Sequence, residues 1–188
     1  MAAGNRTYFM KRKRKEVPPG PRPSVPDPRR QLLLAALDFV RAARSLRGVL
    51  RISMLGSLCT DKAAPKDADV LVTIDPAMEL SPLAQVGRRL KGAGQKINLG
   101  ADVFLADDSD RYLGRICRYR ECHPRAMCDA LNCSRRQHLK DDLHILTLPV
   151  GLTSAPPVEL WPRIVRRDRM PDDVEALLLA PLEQEETP

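Results

Sequence analysis

Residues 49–74 hold two short apolar runs, Val49 to Leu55 and Ala68 to Ile74, parted by a polar stretch that opens with Gly56-Ser57 and closes on Pro65-Lys66. Both runs are too short and too evenly apolar for an amphipathic helix, and Val and Ile recur in them. Gly and Pro punctuate the gap, and Asp75-Pro76 ends the second run, so the pair is predicted as two buried strands. Strands buried on both faces need cover, and the flanking sequence supplies it. From Arg29, "RRQLLLAALDFVRAARSLRG" is rich in strong helix formers, with Leu33, Leu37, Val40 and Leu46 among its apolar positions and Gly48 as the stop. "MELSPLAQVGRRLKGAG" predicts a second helix that begins near Ser81-Pro82, with Ser81 as N-cap, and frays at Gly92 and Gly94. "ADVFLADD", residues 101–108, predicts a third strand. The order helix, strand, strand, helix, strand is the skeleton of a small α/β (α+β) domain, a mixed sheet flanked by helices.

A chain of 188 residues holds one such core with extensions. Only 4% of its residues are aromatic, so the core must rest on Leu, Val, Ile and Ala. No apolar run approaches membrane-spanning length, and the first thirty residues lack an apolar segment followed by a cleavage site. A cytoplasmic location and no membrane partner are expected. Residues 1–29 read as a basic, proline-rich flexible arm, in which "KRKRK" accounts for much of the +7 formal charge. Residues 30–108 are the core and 109–150 a Cys- and Arg-rich, irregular segment packing on it, closing on a strand from His144 to Val150. Residues 151–188 are a C-terminal arm with one short helix, Asp172 to Leu179.

Carboxylates are not needed to start a strand, yet Asp67 and Asp69 head the second one. Residues i and i+2 of a strand share a face, so the two project side by side. Their mutual repulsion is relieved by a cation, and Mg²⁺ combines one or two carboxylates with water and substrate phosphate oxygens. Asp102 opens the third strand in the same way, before "VFL". If strands two and three are neighbours, a third carboxylate enters the cluster. Gly56 allows close approach of backbone to phosphate, and Ser57 offers a hydroxyl and an N–H. Asp75, Asp107, Asp108 and Asp110 are read as turn and cap residues.

The run "GS", a nine-residue loop, "DADVLV" and a distal "DVFL" resembles the nucleotidyltransferase superfamily of DNA polymerase beta-like proteins, in particular its minimal members. The resemblance covers about residues 30–108. It implies a nucleotidyltransferase-like fold and transfer of a nucleoside monophosphate from ATP or another NTP to a hydroxyl, with loss of pyrophosphate. It also implies Gly56 and Ser57 as nucleotide binders, Asp67 and Asp69 as ligands of Mg²⁺ or Mn²⁺, and Asp102 as the third catalytic and metal-binding carboxylate. Many minimal members carry an arginine shortly after the Gly-Ser, whereas this chain has "LCTDKAAPK" there. Lys62 or Lys66 is expected to substitute at the phosphates. RNA or tRNA, a protein or a small molecule could be the acceptor. The rival readings are a non-catalytic nucleic-acid-binding module on the same fold, or the toxin half of a two-protein system.

Cys117, Cys122, Cys128 and Cys133 are separated by gaps of four, five and four residues. One helix cannot gather them, because an i to i+5 step turns by about 140° and Pro124 intervenes. Three readings stand: a folded-back Zn²⁺ site, with His123, His138 or His144 as substitute ligands; buried free thiols; or a redox pair. Around them Arg115, Arg118, Arg120, Arg125, Arg135 and Arg136, interleaved with Tyr112 and Tyr119, form either a stacking surface for RNA or a solvated face.

Overall fold

The structure, a computed structural model, describes residues 27–120, 136–142, 152 and 156–186. Helix α1 (Pro28–Ala43) is opened by Asp27, whose carboxylate accepts from the Arg29 N–H at 3.0 Å, and Pro28 stands at its first turn. Leu32, Leu33, Ala36, Leu37 and Val40 are buried, spaced by three and four residues along one face. Strand β1 (Val49–Leu55) runs into a 3₁₀ turn, Gly56–Cys59, and then β2 (Asp67–Ile74). Helix α2 (Ser81–Gln95) follows, and it places Ser81 inside its first turn. Leu80 occupies the cap position with helical backbone and no side-chain cap bond, so Ser81 is not the N-cap. Strand β3 (Gly100–Ala106) completes the predicted order.

The sheet does not close at Asp108. β4 (Tyr112–Ile116), β5 (Leu139–Lys140) and β6 (Val158–Trp161) join it, giving six strands in the order β5-β4-β3-β2-β1-β6. β2 and β3 are parallel, joined through α2, and every other pair is antiparallel. The proline-flanked "PPVELWP" therefore forms an edge strand beside β1, a position proline tolerates because an edge leaves one row of N–H groups unpaired. The C-terminal helix is longer than its predicted end at Leu179. Helix α3 (Asp172–Val174) passes through a π-helical segment, Glu175–Leu179, into α4 (Ala180–Glu186). Val174, Leu178, Leu179 and Leu182 are fully buried in the same core as α1, and Arg41 and Arg44 clasp Glu185 across the two helices at 2.7 and 2.6 Å. The predicted strand His144–Val150 lies outside the described residues. No helix among the described residues is long and apolar enough to cross a membrane.

The two faces of the sheet differ. Ala68, Val70, Val72 and Ile74 of β2 with Ala101, Val103 and Leu105 of β3 belong to the aliphatic core. The alternate residues, Asp67, Asp69, Leu71 and Thr73 with Asp102 and Phe104, share the opposite face. The acids therefore stand on the side of the sheet turned away from that core.

Candidate active site

Parallel pairing sets β2 against β3 so that Asp69 is directly opposite Asp102, and Asp67 opposite Gly100. A Cβ at position 100 would collide with the Asp67 carboxylate, so glycine there makes room for the acid. On the other flank, Leu55 pairs with Asp69, and the chain turns at once into Gly56. Gly56 has φ +70°, and a Cβ on it would lie 2.7 Å from Asp69 Oδ2. Glycine is required twice over, by the left-handed backbone and by the carboxylate packed against it. The Ser57 carbonyl accepts from both the backbone N–H and the hydroxyl of Thr60, at 3.2 and 2.8 Å, which fixes the turn, while the Ser57 hydroxyl has no partner among the described residues.

Asp69 is only 8% exposed. Its carboxyl is pushed up to about 7, first by burial, then by the neighbouring charges of Asp67 and Asp102, with Arg115 pulling the other way. Such a group is uncomfortable as a bare anion, and a bound cation is one remedy.

Asp102 has found cations within the chain. Lys91 Nζ of α2 lies 3.2 Å from Oδ1, and Arg115 Nη1 lies 3.4 Å from Oδ2. Arg115 pairs with Phe104 across β3 and β4, which sets it diagonally from Asp102 on the same face, within reach of a long side chain. Its Nε donates to Asp142 at 2.7 Å, and Tyr112 donates its hydroxyl to the other oxygen of Asp142 at 3.0 Å. Asp142 has no solvent contact at all. A continuous chain therefore runs from Lys91 through Asp102 and Arg115 to Asp142 and Tyr112.

The loop between the Gly56 turn and β2 is held from outside the sheet. Arg29 of α1 donates to the carbonyls of Leu58 and Lys62 and forms a two-point bridge with Asp173 of α3. The Lys62 and Lys66 side chains are exposed; the Lys66 carbonyl accepts from Gly100 N–H at 2.9 Å, tying the loop to β3. Asp75 and Asp107 act as turn residues, accepting from Ala77 N–H and from the N–H groups of Ser109 and Arg111.

Among the described residues no group of three or more His, Cys, Asp or Glu side chains is gathered to hold a metal ion. Asp67 and Asp69 suit a hard cation that takes its remaining oxygens from water and phosphate, while Asp102 is turned to Lys91 and Arg115. Cys117 is buried and forms no disulfide among the described residues, and His138 is 9% exposed. Cys122, Cys128, Cys133, His123 and His144 lie outside the described residues.

Lys91, Asp142 and the Arg29–Asp173 bridge were not recognised in the sequence. Lys91 sits in an ordinary helix, and Asp142 lies far along the chain from Arg115; the packing of α2 beside β3 brings Lys91 to Asp102, and the pairing of β4 with β5 brings Asp142 to Arg115. No protein-family model, no curated protein and no solved structure matches this chain.

Proposed function

We propose that the protein is a metal-dependent nucleotidyltransferase, moving a nucleoside monophosphate from an NTP to an acceptor hydroxyl. The observation that carries this reading is the juxtaposition of a glycine turn and facing carboxylates: Gly56 packs on Asp69, and Asp69 stands opposite Asp102. Gly56 and Ser57 receive the triphosphate, the glycine because nothing projects from it and the serine through its unengaged hydroxyl. Asp67 and Asp69 hold Mg²⁺, or Mn²⁺, which when bound offsets the charge of the phosphates and of the buried Asp69. Asp102 accepts the proton of the acceptor hydroxyl as its oxygen bonds to the α-phosphorus and the bond to pyrophosphate breaks. Lys91 and Arg115 keep that carboxylate in place by charge-assisted hydrogen bonds.

One observation favours a nucleic acid as partner. Arg88, Arg89 and Arg120 line a depression of about 560 Å³, and the Arg118 guanidinium lies 4.8 Å over the Tyr119 ring. Guanidinium groups beside an aromatic face suit phosphates and stacked bases. A binding module without catalysis would use the same surface.

The deciding experiment incubates the full chain with α-labelled NTPs, Mg²⁺ and cellular RNA or extract, beside Asp67→Ala and Asp69→Ala. Label is expected on an acceptor with the native chain and is lost in both variants. Absence of any labelled acceptor, or equal labelling by the variants, refutes the enzyme and leaves RNA binding as the alternative to measure.

A further inference from the structure

We infer that Arg167, on the segment between β6 and α3, forms a phosphate-binding site against the Gly56–Cys59 turn. Two arginines converge on this turn and the loop behind it from distant parts of the chain, and they differ in one respect. Arg29 is saturated: its Nε, Nη1 and Nη2 are all engaged, by Asp173 and the carbonyls of Lys62 and Leu58. Arg167 spends only Nη1, on the carbonyl of Cys59 at 3.4 Å, while Nε and Nη2 are shut from solvent with no hydrogen-bond partner. They are the only such side-chain atoms among the described residues.

Two guanidinium donors shut from solvent and left idle are costly, and folded chains rarely keep them without an occupant. Nearby groups among the described residues do not fill the role. Among the described residues no carboxylate forms an ion pair with Arg167. The adjacent Cys59 thiol is pushed up to about 12, chiefly by burial, so it is a neutral neighbour.

The idle pair also selects the ligand. Nε–H and Nη2–H point in parallel from one edge of the guanidinium plane, the edge that grips two oxygens of a carboxylate or phosphate at once. Beside the Gly56 turn the occupant is a phosphoryl group, and on the nucleotidyltransferase reading, on which only this identity rests, it belongs to the terminal phosphates of the NTP. The Lys62 and Lys66 side chains, exposed on the loop, are then dispensable for this contact.

The test is calorimetric titration of the full chain with inorganic pyrophosphate in metal-free buffer, with thermal unfolding alongside, for the native protein, Arg167→Met, Arg167→Lys and the exposed-site control Arg163→Gln. The native chain and the control are expected to bind, Arg167→Lys to bind more weakly, and Arg167→Met to lose at least about tenfold in affinity, as a bidentate charge-assisted contact requires. Without pyrophosphate Arg167→Met should melt no lower than the native chain, since it removes a charge that has no ion-pair partner among the described residues and gives up only the long bond to the Cys59 carbonyl. The site is overturned if the native chain binds no pyrophosphate, if Arg167→Met binds as tightly, or if Arg167→Met melts lower or fails to fold in the anion-free state. Transfer assays separate the two ideas. Pyrophosphate binding that depends on Arg167 without any nucleotide transfer keeps the site and discards the transfer reaction. Transfer with the same KM for NTP in Arg167→Met discards the site and keeps the reaction.

Discussion

Asp69 and Asp102 face each other across the parallel strands β2 and β3, and the buried one of the two is the one without a cation of its own among the described residues. Asp102 rests on Lys91 and Arg115, whereas Asp69 meets burial, Asp67 and Asp102 together, which raise its carboxyl to about 7. A carboxyl whose folded pKa exceeds its unfolded value binds its proton more tightly when folded. Its contribution to stability is therefore complete below the unfolded value near pH 4 and is lost as pH rises through about 7. With chelator present, the native chain should lose stability across this window by up to about 1.4 kcal/mol per pH unit relative to Asp69→Asn. Urea unfolding at pH 5 and pH 8 measures the difference, and equal dependence in the two proteins would show that Asp69 ionises freely.

Arg115→Met removes the partner of a carboxylate that has no access to water. Tyr112 can still donate one hydrogen bond to Asp142, but the charge is left without a cation. The expected cost is about 3 kcal/mol, the scale found when half of a buried ion pair is deleted. Arg115→Met combined with Asp142→Asn should recover part of that loss. If the double variant is no more stable than the single one, the two side chains are not coupled.

Gly56→Ala meets two obstacles at once, a left-handed backbone and a carboxylate oxygen 2.7 Å from the new methyl. Backbone strain alone is worth about 1–2 kcal/mol. The collision adds to it by displacing Asp69, so transfer activity should fall more than stability. In Asp69→Ala the carboxylate clash is absent, and introducing Gly56→Ala there should cost the backbone part and the milder contact with Leu152, whose Cδ2 lies 3.1 Å from the new methyl. Chemical denaturation of the four proteins of this cycle supplies the numbers.

Arg29→Ala is expected to destabilise by about 3 kcal/mol, because it frees two carbonyls in the loop and strands Asp173. Asp173→Ala should cost about 1 kcal/mol, since its side chain is 35% exposed and solvent screens the bridge. Equal losses from the two substitutions would mean that the loop carbonyls contribute little and that the bridge carries the effect.

Local pattern was enough for the elements nearest the acids. β1 coincides with its predicted limits, β2 starts one residue early at Asp67, and β3 covers Gly100–Ala106 against an expected 101–108. These segments are short apolar runs bounded by Gly, Pro and Asp, and such boundaries act through the backbone of the residues themselves. β4 and β6 escaped notice because each has only four or five residues of mixed polarity, and the edge position of β6 does not demand an apolar run. α4 escaped notice because Pro181, which reads as a helix breaker, follows the helical stretch; the described helix runs through it to Glu186.

The pairing of i and i+2 carboxylates on one face of β2, the glycine before Ser57 and the presence of a third acid at the head of a strand are properties of the sequence, since period and local sterics determine them. Which strands become neighbours is a matter of long-range packing. The parallel register that sets Asp69 against Asp102, the reach of Arg115 from β4 to both Asp102 and buried Asp142, and the approach of Arg29 and Arg167 to one turn all depend on segments far apart along the chain. Local sequence carries no period or spacing from which those contacts follow; burial of the shared aliphatic core brings the segments together, and the charges then meet where the core has left them.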